Sequence, residues 1–187
     1  MGEVGQAWQR VLSWLEVNAP VTASSVLPPV AVGEIDAAQE RMGVVFPQEL
    51  RAWLLITGLD EGPDDSVAGI LPGLGGLLGL TAMESFYNFK MEIERDDPSD
   101  EPGLPFWHEQ WVPIFSDSDA CYGKFLDTRT GQIGSFGDGD LPSFGVHESL
   151  SALFNETANL MGQITYDAGG VVGSVQNGRL IWLSSPG

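Results

Sequence analysis

Apolar positions in the first third of the chain recur at helical spacing. Trp8, Val11, Leu12 and Leu15 fall on one face, and Asn18 with Pro20 ends the run, so residues 6–18 are predicted as an amphipathic helix. A loop with Pro28 and Pro29 leads to a second helix near residues 33–42. There Ile35, Ala38 and Met42 share a face, and Gly43 is a natural C-terminal cap. Pro47 suits the first turn of a third helix with the stripe Leu50, Trp53, Leu54 and Thr57, and Gly58 is expected to end it in the left-handed conformation.

Helical periodicity is lost from Leu59 to Gly79, where an acidic stretch and then a Gly/Leu-rich stretch predict a loop and short strands. Thr81-Ala82-Met83-Glu84 has the Thr-x-x-Glu form in which hydroxyl and carboxylate satisfy each other's backbone donors, so a fourth helix is expected from Thr81 through Glu94. Asp96 to Pro105 is acidic and broken by three prolines, the composition of a mobile surface loop. Trp111–Phe115, Cys121–Asp127 and Gln132–Phe136 predict a strand meander with a turn at Thr128–Gly131. Leu150, Leu153, Phe154, Thr157 and Met161 predict a fifth helix that stops at Gly162. In the tail, Ile164–Tyr166, Val171–Val175 and Leu180–Leu183 read as strands, with Asn177-Gly178 as a hairpin turn. These strands either extend the sheet or form a small appendage.

The length of 187 residues fits one domain, 1–187, with residues 162–187 as a C-terminal β-hairpin extension. The chain has 26 acidic and 8 basic side chains, a net charge of −18, so phosphate backbones are repelled and direct nucleic-acid binding is excluded. No apolar run of about 18 residues offers a membrane span. The first fourteen residues lack the basic-then-apolar order of a secretion signal, and the lone Cys121 rules out an internal disulfide framework. A cytoplasmic protein is expected.

The acids are unevenly placed. Residues 92–140 hold twelve acidic side chains against Arg95, Lys124 and Arg129, and Asp60, Glu61, Asp64 and Asp65 form a second group. Such a field steers a basic partner, although acidic loops also serve solubility alone. Asp117-x-Asp119 and Asp138-Gly139-Asp140 suggest a cation site, but a calcium loop starting at Asp117 would need Gly at its sixth position and a carboxylate at its twelfth, where Tyr122 and Thr128 stand. No metal and no cofactor is expected. Trp107 and Trp111 flank His108, Glu109 and Gln110. Trp111 begins a strand and is expected in the core, whereas Trp107 is either core or an interface anchor.

Catalytic signatures are thin. Cys121 lies in no nucleophile motif and is expected buried in a strand, while carboxylate pairs carry little meaning in so acidic a chain. Hydrolase, Walker, zincin and dinucleotide motifs are missing. The Gly73–Gly79 run fails the dinucleotide spacing at Leu78.

The order of elements resembles the SUKH superfamily, the Smi/Knr-type regulators and their relatives, over residues 6–161. Its first signature is carried by Glu34–Arg41, Gly43, Phe46-Pro47-Gln48-Glu49-Leu50-Arg51, Trp53 and Gly58. Its second is carried by Trp111-Val112-Pro113-Ile114, Asp117-Ser118-Asp119, Phe125-Leu126-Asp127, Gly131-Gln132-Ile133 and the closing helix 149–160. The chain departs from the pattern at Ala120-Cys121, where many members have Gly or Asn. The resemblance implies an α+β fold, helices packed on a predominantly antiparallel sheet. It also implies a non-catalytic protein-binding role, such as an immunity protein that neutralises a toxin of the nuclease or deaminase kind. A regulatory scaffold is the alternative, and an acid-dependent hydrolase the more distant one. The residues expected to meet a basic protein partner, a toxin domain, are Trp107, His108, Glu109, Asp117, Asp119, Asp138 and Asp140.

Overall fold

The apolar stripe of the first helix is buried along its whole length. In the computed structural model, which describes residues 2–59, 70–73, 75–100, 105–137, 140–164 and 173–182, α1 (Glu3–Asn18) buries Val4, Ala7, Trp8, Val11 and Leu15 on one face. The connection that follows contains a short helix, α2 (Pro20–Ala23), and a two-residue strand, β1 (Val26–Leu27), where a plain loop was expected. In α3 (Val32–Met42) the Glu34 carboxylate accepts the Ala31 N–H at the start, and Gly43 closes the end with φ of 69°.

Two contacts fix α3 against α4 (Gln48–Leu54). The Gln39 side chain accepts the Phe46 N–H at 2.7 Å, and Arg51 pairs with Asp36 at 2.6 Å. The helix ends at Leu54, and Gly58 does not cap it. Instead Gly58 lies in β2 (Gly58–Leu59), antiparallel to β1, where a Cβ would stand 2.5 Å from the Pro28 carbonyl oxygen. Close backbone approach is the reason for this glycine.

After β3 (Gly76–Leu77), α5 (Leu80–Asp96) begins one residue before Thr81, with Gly79 at its N-cap and no side-chain cap. The expected Thr81–Glu84 box does not form because Glu84 is engaged across helices. Arg41 of α3 donates to both its oxygens, at 2.6 and 2.7 Å.

The meander continues through β4 (Trp111–Ser116), β5 (Gly123–Asp127) and β6 (Ile133–Phe136) to β7 (Ser143–His147), a strand absent from the expectation. The five-stranded sheet has the order β3-β4-β5-β6-β7, antiparallel throughout. Cys121 lies ahead of β5, half-buried in the turn, which corrects its expected place in a strand. The closing helix α6 (Leu150–Met161) is capped by the Ser149 hydroxyl, which accepts the Ala152 N–H. The Glu49 carboxylate of α4 also takes the Ser151 N–H and hydroxyl.

Alternation along the strands gives the sheet two faces. Val112, Ile114, Leu126 and Ile133 join the main core with the helices, where Trp8, Trp53 and Phe154 meet at centroid distances of 4.9 to 5.5 Å. Burying such a side chain contributes about 1.5–3 kcal/mol. Trp107, Trp111, Phe125 and Phe136 form a separate cluster on the other face.

The C-terminal hairpin, β8 (Gly173–Gln176) and β9 (Arg179–Trp182), turns at Asn177 and Gly178 with φ of 52° and 77°. It forms its own two-stranded sheet and docks on α2. Val21 N–H donates to the Gly178 carbonyl, Leu180 N–H donates to the Thr22 hydroxyl, and Leu180 and Trp182 enter the main core. The expected strand at 164–166 falls largely outside the described residues, as does the acidic group at 60–65.

Candidate docking face

Strand register decides which of the expected partner-facing residues lie together. Trp111 pairs with Asp127 and Ser116 with Gly123, so His108 and Glu109 lie at one end of β4 and Asp117 and Asp119 at the other. A strand of six residues separates these ends by about 20 Å. Gly123 pairs with Phe136, which puts Gly137 and Asp140 at the Asp117 end. Asp138 lies outside the described residues. The expected residues therefore divide into two groups.

At the first end the polar groups, other than the side chain of the exposed Glu109, are engaged internally. His108 accepts the Gln110 N–H on Nδ1 at 3.0 Å, Tyr87 donates to the Glu109 carbonyl at 2.8 Å, and the Thr128 hydroxyl donates to the Gln110 side chain at 2.7 Å. Asp127, 6 % exposed, takes Arg129 through Nε at 2.9 Å, Nη2 at 2.6 Å and the backbone N–H at 3.0 Å. Burial alone would push the Asp127 carboxyl up, but the Arg129 hydrogen bonds and charge, with His108 nearby, hold it below the usual carboxylate range. Sequence reasoning passed over this pair, although an Asp-x-Arg at a strand end is a signal for it.

At the other end the two turn acids differ in role. Asp117 Oδ1 accepts the N–H groups of Cys121 at 2.9 Å and Tyr122 at 3.2 Å, and so holds the turn closed, whereas the Asp119 residue is exposed. Ala120 within this turn has φ of 58°. Gly or Asn adopts that left-handed conformation at less cost than Ala does.

Trp107 is only 2 % exposed, which corrects its place as a partner-facing anchor. Its ring meets Trp111, Phe125 and Phe136 edge-on at centroid distances of 5.2 to 5.9 Å, and its backbone N–H donates to the Glu94 carboxylate at 3.2 Å. Trp111 in turn stacks on Phe125 at 4.4 Å, as the expectation of a core residue requires. Over this pair lies Phe144 of β7, itself 51 % exposed.

Beside the cluster, between the C-terminal half of α5 and the β6–β7 connection, is a cleft of about 490 Å³. Trp107 and Phe136 form its buried floor, and Ile93, Phe106 and Leu141 its partly exposed walls, Phe106 at 57 % and Leu141 at 65 %. Three exposed acids, Asp97, Asp100 and Asp140, stand around it. Lys90 also lines it, with its ammonium 4.8 Å from the centre of the Phe136 ring. Sequence reasoning missed this cleft. Its described lining comes from residues 90–100, 105–107, 136–137 and 140–142, and the apolar pair Phe89 and Ile93, one helical turn apart, was the available signal.

Among the described residues no group of three or more His, Cys, Asp or Glu is placed to hold a metal ion, and no helix is long and apolar enough to cross a membrane. No curated protein matches the chain. A family model does match, over residues 29–156, which takes in both motif regions, the whole five-stranded sheet and the first half of α6, and on that match the chain belongs to the SMI1 / KNR4 family (SUKH-1).

Proposed function

We propose that this chain is a non-catalytic protein-binding module of the immunity type, which occludes a basic partner, a toxin domain of the nuclease or deaminase class. Family membership supports a binding role in general. The observation that carries the specific reading is the placement of Asp119 and Asp140 at one end of the sheet, with Asp140 also on the rim of the cleft. A surface of this sign meets the basic groove with which a nuclease grips phosphate, and raises the rate of encounter with it. Inhibition then follows from steric blockade, and no bond is made or broken.

The test is co-expression with the protein encoded immediately upstream, followed by co-purification and a toxicity rescue assay. Rescue of growth together with a stable complex supports the reading. Capture of a cellular protein without toxicity or rescue assigns the chain to regulatory scaffolding instead. Turnover in a hydrolase screen that is lost on substituting a carboxylate pair overturns the non-catalytic reading.

A further inference from the structure

We infer that the cleft between α5 and the β6–β7 connection receives a short partner segment carrying an arginine or lysine beside an aromatic or aliphatic side chain. The inference rests on the protein-binding reading and names the chemistry of recognition.

Volume is the first ground. About 490 Å³ lies within the range of sites that bury a small ligand or a few side chains, and walls such as Phe106 and Leu141 are left in water on a chain of net charge −18. Covering them would remove apolar surface from water at about 25 cal/mol per Å².

Charge is the second ground. Among the described residues, Asp97, Asp100 and Asp140 against Lys90 leave the lining at a net −2, which disfavours an anionic ligand and favours a cationic one. A second copy of this chain would bring its own acidic surface and be repelled.

The third ground lies inside the cleft. The Lys90 ammonium, 4.8 Å from the centre of the Phe136 ring, shows that this aromatic floor seats a cation. An incoming arginine would find the same chemistry at the exposed Phe106 ring, with carboxylates of the rim to meet its guanidinium. The aromatic or aliphatic neighbour would fill the rest of the floor.

Fluorescence polarisation on the full chain tests this with three labelled octapeptides, alike except for Arg-Phe-Arg, Arg-Ser-Arg or Glu-Phe-Glu at the centre. The Arg-Phe-Arg peptide is expected to bind, about tenfold more tightly than Arg-Ser-Arg, and Glu-Phe-Glu to bind not at all. The triple variant Asp97→Asn, Asp100→Asn, Asp140→Asn is expected to lose at least about tenfold in affinity. Glu16→Gln, Glu40→Gln, Glu148→Gln removes the same charge outside the cleft and is expected to lose less than about threefold. Near-ultraviolet circular dichroism confirms that both variants are folded. Equal binding of the Arg-Phe-Arg and Glu-Phe-Glu peptides, binding of neither at millimolar concentration, or equal losses in the two triple variants overturns the inference. If the cleft variant still captures the toxin partner with unchanged affinity, the cleft assignment falls and the binding role stands. If peptides discriminate as expected but no toxin partner exists, the converse holds.

Discussion

Gly134 on β6 lies directly across from Phe125 on β5, and the aromatic ring occupies the space a side chain at 134 would need. A Cβ there would come within 2.7 Å of both Cε atoms and nearer still to Cζ. The neighbouring pair is its reciprocal: Phe136 of β6 stands opposite Gly123 of β5, where a Cβ would meet the Phe136 Cζ at 2.6 Å. Each ring thus lies over a glycine of the adjacent strand, and the aromatic cluster beneath the docking face depends on both. Gly134→Ala is expected to cost about 1–3 kcal/mol, read as a lower urea midpoint at unchanged slope. Gly33→Ala, in α3 with nothing within 4 Å of its Cβ, is expected to raise stability by up to about 1 kcal/mol. A Gly134→Ala protein as stable as the wild type would mean that the ring can move aside.

Those glycines also show what the sequence could and could not reveal. Strongly periodic segments were legible: α1, α3, α6, the meander and the Asn177-Gly178 hairpin all form where spacing and turn chemistry place them. Tertiary competition defeated the finer reading. Thr81 and Glu84 have the local pattern of a capping box, yet Arg41, forty-three residues away, takes the Glu84 carboxylate. Strand β7 escaped notice because Phe144 and Val146 flank Gly145, whose φ of 62° breaks an ordinary strand pattern. Acid count was legible as well, but not acid function. The inward turn of the Asp117 carboxylate onto two N–H groups is a property of the turn and of no single residue.

The Asp127–Arg129 pair ties the end of β5 to the loop after it. Asp127→Ala removes the acceptor for three Arg129 donors. It is expected to cost about 1–3 kcal/mol, because the backbone N–H among them loses its partner in a partly buried place. Asp127 has a folded pKa below its unfolded value, so its contribution is complete above the ordinary carboxylate value near about 4 and is lost as pH falls through the depressed one. Urea midpoints measured between pH 5 and pH 2 should therefore fall less steeply in Asp127→Asn than in the wild type. Parallel acid limbs in the two proteins would remove this pair from the acid sensitivity of the fold.

His147 on β7 makes a second pH-dependent contribution, with its Nδ1 3.1 Å from the Glu156 carboxylate of α6. Burial lowers its pKa, and Lys124 of β5 lowers it further; Glu156 opposes both without prevailing. The unfolded chain therefore takes up a proton first. Stability from this group is complete above about pH 6.5 and is lost as pH falls through the lowered folded value. Between pH 7.5 and 5.5 the wild-type midpoint is expected to drop, and the His147→Gln midpoint to drop less. An equal drop in both would locate the pH sensitivity elsewhere.

Asp117 and Asp119 share a turn and a charge, but their substitution should have different consequences. Asp119 is exposed and its carboxylate accepts the adjacent Ser118 hydroxyl at 3.4 Å, so Asp119→Lys changes the local field by two units while leaving the two Asp117 hydrogen bonds that close the turn in place. Asp117→Lys makes the same change in charge and also strips the acceptor from Cys121 and Tyr122, at an expected cost of about 1–2 kcal/mol. Stopped-flow association with the captured partner separates the two effects. If the acidic end steers that partner, Asp119→Lys slows the on-rate, the slowing fades as salt rises, and the thermal midpoint is unchanged. Asp117→Lys should show that same on-rate loss with a lower midpoint, and Asp117→Asn should restore most of the stability, since its amide oxygen can still accept. A partner whose on-rate is insensitive both to Asp119→Lys and to salt would meet this chain on a different face, and the carboxylates of the turn would then serve the fold and solubility alone.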